Sequence, residues 1–152
     1  MRLPFQPRRL PVRCEEIMKK EVECLSPRST IEEAALRMRD KNVGFLPICD
    51  PSKKVLGTLT DRDIVIRCIA TKKATNTPVE QVMTREVVAC RPQDDIQRAE
   101  QLMAQHAKSR IMCLDDSGRL VGVISLSDIA QHEDAARAVE TLRQVSEREM
   151  RV

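Results

Sequence analysis

The chain has 152 residues, 41% of them apolar and 32% charged, the composition of a folded globular protein rather than a disordered one. Its 26 basic and 23 acidic residues leave a net charge of +3, too weak a global field to recruit nucleic acid. No apolar run is long enough to span a bilayer and the start lacks a signal-peptide core, so a cytosolic protein is expected.

The first eleven residues form a basic, proline-punctuated arm: Arg2, Arg8 and Arg9 stand among Pro4, Pro7 and Pro11, with Arg13 just beyond. Such a segment reads as a tail. Base stacking has almost no platform in a chain whose only aromatic residues are two phenylalanines, so nucleic-acid binding ranks last among the possible functions.

From residue 12 onward the chain matches itself without a gap at an offset of 65. Met18 falls on Met83, Pro27 on Pro92, Ile31 on Ile96, Ala34 on Ala99, Met38 on Met103, Asp50 on Asp115, Gly57 on Gly122 and Asp63 on Asp128. That is an internal duplication, with a first repeat over 12–70, a polar linker over 71–78 and a second repeat over 79–135. Units of about 60 residues are marginal alone, so the two are expected to pack on each other.

Each copy spells the same order of elements. A short lead helix (15–20; 79–84) precedes an extended segment, Val22, Glu23 and Cys24 in one copy and Val87, Val88 and Ala89 in the other, closed by a proline. A helix follows with a capping-box start, Ser29 with Glu32 and Asp94 with Gln97. Its apolar stripe, Ile31, Ala34, Ala35 and Met38, keeps the spacing of a core-facing helix. Strands over 45–49 and 55–59, and over 110–114 and 120–124, are joined by Asp-led turns, and Pro47 puts its strand at a sheet edge. A last helix opens at the motif "GTLTDRDI" or "GVISLSDI". Beyond Ala130 it is expected to run on to about Met150, with 136–152 as a docking or dimer-contacting extension.

Both motifs hold a hydroxyl and a carboxylate at Thr60-x-x-Asp63 and Ser125-x-x-Asp128. Helix capping explains that spacing. The same turn also offers free N–H groups to a phosphate and a carboxylate to the two hydroxyls of a ribose. Finding it twice, after the same glycine-bearing strand, favours a binding role.

With these motifs and "NVGFLPICD", the chain over about Val12 to Ala135 resembles a tandem pair of CBS (cystathionine-β-synthase) domains, the Bateman module. The resemblance implies an α+β fold of two βαββα units related by a pseudo-two-fold axis, often dimerised, with clefts between the repeats for AMP, ADP, ATP or S-adenosylmethionine. It further implies one cleft built from Thr60, Asp63, Val87, Val88, Ala89 and Arg110, the arginine reaching phosphate. The opposite cleft would join Ser125 and Asp128 to Val22, Glu23 and Cys24, with Phe45 in place of the arginine and hence a poorer phosphate site. Lys108 and Arg62 lie near in sequence to the expected ligand atoms, although surface lysines and arginines are usually only solvated.

No nucleophile–base pair or paired carboxylates stand out, so an enzyme is not expected. The two functions that remain are a stand-alone nucleotide sensor, homodimeric and acting on an unidentified protein effector, and a dimerisation scaffold in which the motif only caps helices. The six cysteines form no C-x-x-C pair, and the two histidines stand at no ligand spacing to them; reduced, mostly buried thiols are expected rather than zinc or disulfides.

Overall fold

A computed structural model describes residues 11–132 and 135–149, leaving the basic arm outside the described residues except Pro11. The elements, in order, are α1 (Cys14–Ile17), α2 (Ile31–Lys41), β1 (Phe45–Cys49), β2 (Val55–Thr60), α3 (Asp61–Asp63), β3 (Ala89–Cys90), α4 (Ile96–His106), β4 (Arg110–Leu114), β5 (Leu120–Ser125), α5 (Leu126–Ala130) and α6 (Ala135–Glu149). A π-helical turn over Ile64–Ile69 extends α3, and a 3-10 turn over Val79–Gln81 stands where α1 stands in the first repeat.

Strands β1 and β2 pair antiparallel, as do β4 and β5, with β3 added parallel to β4. The register shifts between Ile48 and Cys49 and again between Cys113 and Leu114, so the duplication extends to the irregularities. Pro47 turns its carbonyl outward to accept from Leu25 N–H at 2.9 Å. Its missing donor therefore faces away from β2, where it costs the β1–β2 ladder no bond.

The repeats do not close their own cores. Val79, Val82 and Met83 of the second repeat are buried among Leu25, Ile31, Leu46, Ile48 and Leu59 of the first. In return Cys14 is buried, with Ile17 and Met18 against it, among Ile96, Met103, Ile111, Ile124 and Ile129 of the second. Backbone bonds repeat the exchange: Cys14 N–H donates to Asp94 C=O and Val79 N–H to Ser29 C=O, both at 2.8 Å. Lys19 pairs with Val123, and Thr84 with Thr58.

This exchange corrects several sequence-level expectations. The caps sit one residue later than expected: Thr30 Oγ1 accepts from Glu33 N–H while Glu33 returns to Thr30 N–H in a capping box, whereas α4 has a simple cap by Asp95, not Asp94, through Gln97 N–H. Ser29 and Asp94 have their carbonyls committed to the incoming lead segments. The lead helices are shorter than 15–20 and 79–84 because Lys19 and Thr84 are held in extended pairing. Val22, Glu23 and Cys24 form no strand, and only Ala89 of the Val87 to Ala89 segment lies in one. The last helix is broken: α5 ends at Ala130 and α6 starts afresh at Ala135, lying against α4 and α5.

A third cluster fills the seam between repeats, with Cys49 and Val55 meeting Met112, Leu120 and Val123. At its rim Val55 N–H donates to Gly118 C=O and Leu120 N–H to Lys53 C=O, placing Lys54 opposite its own counterpart Arg119.

Candidate functional site

The T-x-x-D motifs fold as reciprocal caps. Thr60 Oγ1 accepts from Asp63 N–H at 3.1 Å while Asp63 Oδ2 accepts from Thr60 N–H at 3.0 Å, and Ser125 and Asp128 repeat the arrangement at 3.1 and 2.9 Å. Capping thus uses one carboxylate oxygen of each aspartate. The other oxygen of Asp63 stands 3.5 Å from Thr84 Oγ1 and 3.8 Å from Arg67 Nε, with the side chain only 12% exposed.

A cleft of about 690 Å³ opens between the repeats over this turn. Gly44, Phe45, Thr58, Thr60, Asp61 and Arg62 line it from the first repeat, and Glu86, Val88, Ala107, Lys108, Ser109, Arg110 and Met112 from the second. Phe45 is the cross-strand partner of Thr60, so the sheet register alone sets the ring beside the hydroxyl. A Cβ on Gly44 would lie 2.8 Å from Asp61 Oδ2, so the Asp61 carboxylate would have to swing aside.

Three cations, Arg62, Lys108 and Arg110, face the cleft, and among the described residues none of their side chains has a hydrogen-bonding or ion-pairing partner. The acidic groups in the same wall are partly engaged, Asp61 by Arg62 N–H and Glu86 by His106 at 3.5 Å. The cleft therefore presents three unpaired cations beside two carboxylates, a small positive excess, next to a hydroxyl and an apolar wall of Phe45, Val88 and Met112.

Of the residues expected in this cleft, Thr60, Val88 and Arg110 line it, while Asp63 sits behind the turn and Val87 and Ala89 lie off its walls. Phe45, expected opposite, lines this same cleft. The opposite grouping is not assembled in the same way. Val22 and Cys24 pack on the seam cluster, and Glu23 pairs with Arg37 and Lys41 at 3.0 and 3.6 Å. Ser125 instead opens on a smaller hollow of about 400 Å³, walled by Leu126, Ala130, Val139 and Leu142, with Arg110 at its edge. Helix α6, which supplies two of those apolar walls, has no counterpart in the first repeat.

Sequence reasoning missed Gly44, Thr58, Asp61, Glu86, Ala107, Ser109 and Met112 as cleft residues. Ser109 and Gly44 occupy equivalent positions, so the duplication itself carried that signal.

Two interlocked repeats, each with a helix, an antiparallel strand pair and a second helix, and a cleft lined by three cations across their seam define a tandem-repeat α/β module. The chain belongs to the CBS domain family, whose model matches residues 14–69 and 79–135. It is 39% identical over 119 residues to the CBS domain-containing protein YhcV of Bacillus subtilis, covering 78% of this chain and 84% of that one. Hypoxic response protein 1 of Mycobacterium tuberculosis is 34% identical over 118 residues, or 77% and 82% of the two chains. A crystal structure of Hypoxic Response Protein I with two coordinated zinc ions superposes with a TM-score of 0.75 at 31% identity, covering 81% and 100%. The CBS domain pair of protein MJ0100 in complex with 5'-methylthioadenosine and S-adenosyl-L-methionine gives a TM-score of 0.72 at 26% identity, covering 80% and 98%.

Proposed function

We propose that the protein is a regulatory sensor that binds one phosphorylated adenosine, such as AMP, ADP or ATP, in the cleft over Thr60. The observation that carries this is the cation trio: Arg62, Lys108 and Arg110 converge on a single opening without carboxylate partners among the described residues. An anionic group supplies the missing charge, and charge-assisted hydrogen bonds to it are the strong kind. In this reading Thr60 meets the ribose, Asp63 holds Thr60 in place through the reciprocal cap, and the base lies against Val88, Met112 and Phe45.

The adenosine part of the proposal is supported by the family and by the ligands of the MJ0100 pair. S-adenosylmethionine, whose sulfonium is cationic, fits this cleft less well than a nucleotide does. It suits the apolar hollow by Ser125 better, where Leu126, Val139 and Leu142 leave Arg110 as the one basic side chain among the described residues of the wall. No covalent step is assigned to any residue; binding is the function, and its output passes to a partner protein or to the oligomer.

The oligomer belongs to the same proposal. Val65, Ile66 and Ile69 on the π-helical turn are 54%, 45% and 64% exposed, and Leu36 on α2 is 41% exposed. α6 contacts α4 and α5 of the second repeat. A second copy packed on the first-repeat residues forms a homodimer.

Thermal unfolding with and without AMP, ATP, S-adenosylmethionine and 5'-methylthioadenosine tests the sensor. A ligand at 100 times its dissociation constant adds about 2.7 kcal/mol of stability. An unmoved transition with all four ligands defeats it and leaves the dimerisation scaffold.

A further inference from the structure

Three cysteines far apart in sequence meet in the second core. Cys14 on α1, Cys90 on β3 and Cys113 on β4 place their sulfurs within 4.8 Å of one another. Cys90 Sγ lies 3.6 Å from Cys14 Sγ and 3.5 Å from Cys113 Sγ. The three residues are 0%, 4% and 0% exposed, surrounded by Ile96, Ile111 and Ile124. The spacing of the cysteines in the sequence gave no hint of this, because the exchange of lead segments brings Cys14 in from the other repeat.

The duplication supplies an internal control. At the offset of 65 residues the counterparts of Cys14, Cys90 and Cys113 are Val79, Leu25 and Ile48, all buried in the first core. The fold therefore asks only for aliphatic side chains at these positions. One repeat meets that demand with Val, Leu and Ile, whereas the other carries sulfur at all three. Three cysteines also fill less volume than those aliphatics, and their sulfurs lie in van der Waals contact.

We propose that Cys14, Cys90 and Cys113 form a buried, sulfur-only site for a soft thiophilic cation, and that Cu(I) is the ion it fits. Thiolates select Cu(I), zinc and iron–sulfur clusters among the biological metals. Structural zinc takes four ligands in a tetrahedron, and among the described residues no histidine or carboxylate joins the group. The apolar wall also holds back water as a fourth ligand. An iron–sulfur cluster needs four protein ligands. Cu(I) accepts three sulfurs in a plane. Each thiol that ligates as thiolate gives its proton to solvent. The cation then ties α1 to the β3–β4 pair, and β4 begins at Arg110 of the cleft.

The test is a titration of the reduced full-length chain with Cu(I) under anaerobic conditions against bicinchoninate, which reports unbound copper by its colour. The expected result is one equivalent withheld from the competitor, an ultraviolet sulfur-to-copper band, and a three-sulfur shell by X-ray absorption. Single Cys→Ser changes at 14, 90 or 113 weaken binding by more than about 100-fold, the upper end of what loss of an outer-shell partner costs. The Cys24→Ser/Cys49→Ser double variant keeps the site. The triple variant Cys14→Val, Cys90→Leu, Cys113→Ile installs the first repeat's own core, so it is expected to fold and to lose the band. No copper withheld by the folded wild-type chain, a band that survives the triple variant, a two-sulfur shell, or tighter binding of Zn(II) than Cu(I) each overturns the proposal.

Discussion

Thr58 and Thr84 exchange both backbone hydrogen bonds, N–H to C=O at 2.9 and 2.8 Å, and so stitch the floor of the cleft to the lead segment of the other repeat. The stitch needs Gly57. A Cβ there would stand 2.5 Å from Thr84 O, a backbone atom that cannot swing aside. At the equivalent Gly122 the obstacle is the side chain of Met18, with Sδ at 2.5 Å and Cγ at 2.7 Å.

Gly57→Ala is therefore expected to destabilise the protein by about 1–3 kcal/mol, the usual range for overpacking. Gly122→Ala should cost less, because a methionine can re-pack. Urea unfolding of both variants checks the order; equal losses would mean that the two stitches yield alike.

For the cleft, Arg110→Ala is expected to weaken AMP binding by about 10- to 100-fold, the worth of a hydrogen bond to a charged group being roughly 1.5–3 kcal/mol. Asp63→Ala should weaken it within the same range and Asp128→Ala less. Both aspartates cap helices, so each variant must first be shown to be folded. Calorimetry in which Asp128→Ala abolishes binding while Arg110→Ala leaves it intact would move the nucleotide to the other motif.

Of the six cysteines, Cys24 alone is half-buried rather than buried. A hydrogen bond from Cys49, helped by Lys53 and opposed by burial, lowers its thiol to about 7 from the ordinary 9.0. The thiolate, which is the nucleophile, thus predominates above pH 7. Alkylation by iodoacetamide should reach Cys24 first, with a rate that rises through a midpoint near pH 7, and Cys49→Ala should shift that midpoint upward. Mass mapping that finds another cysteine modified first would contradict this.

Replacing Ile69 with lysine puts a charge where the dimer face is proposed. Light scattering is expected to give about twice the chain mass for the wild type and a single chain for Ile69→Lys at the same micromolar concentration. A monomeric wild type removes the dimer from the proposal.

Much of this architecture was legible in the sequence because the duplication doubles every signal. Four of the five strands, both Asp-led turns and the hydroxyl–carboxylate caps follow from local chemistry that a single repeat displays. What escaped is non-local. Ser29 looks like a better cap than Thr30 until Val79 claims its carbonyl, and α1 looks longer until Val123 claims Lys19. Asn42, in left-handed conformation at φ 53°, announces the end of α2, whereas Ala107 at φ 52° does the same for α4 with no chemical sign of it. In the cleft, Thr60 and Arg110 were visible as chemistry. Gly44 and Met112 were not, since only the facing of the two sheets brings them to the same wall.

The exchange of lead segments also sets an order of events on the ribosome. The first core lacks only Val79, Val82 and Met83, so it closes soon after these residues emerge. The second core needs Cys14, which is held against a carbonyl 81 positions later in the chain, and Val145 near the far end. Cys14, Ile17 and Met18 thus wait long for a place to dock, exposed while the rest is synthesised. Closing so large a loop is a late and slow step. A nascent chain paused once Met83 has emerged would carry a finished core with a loose, sticky leader.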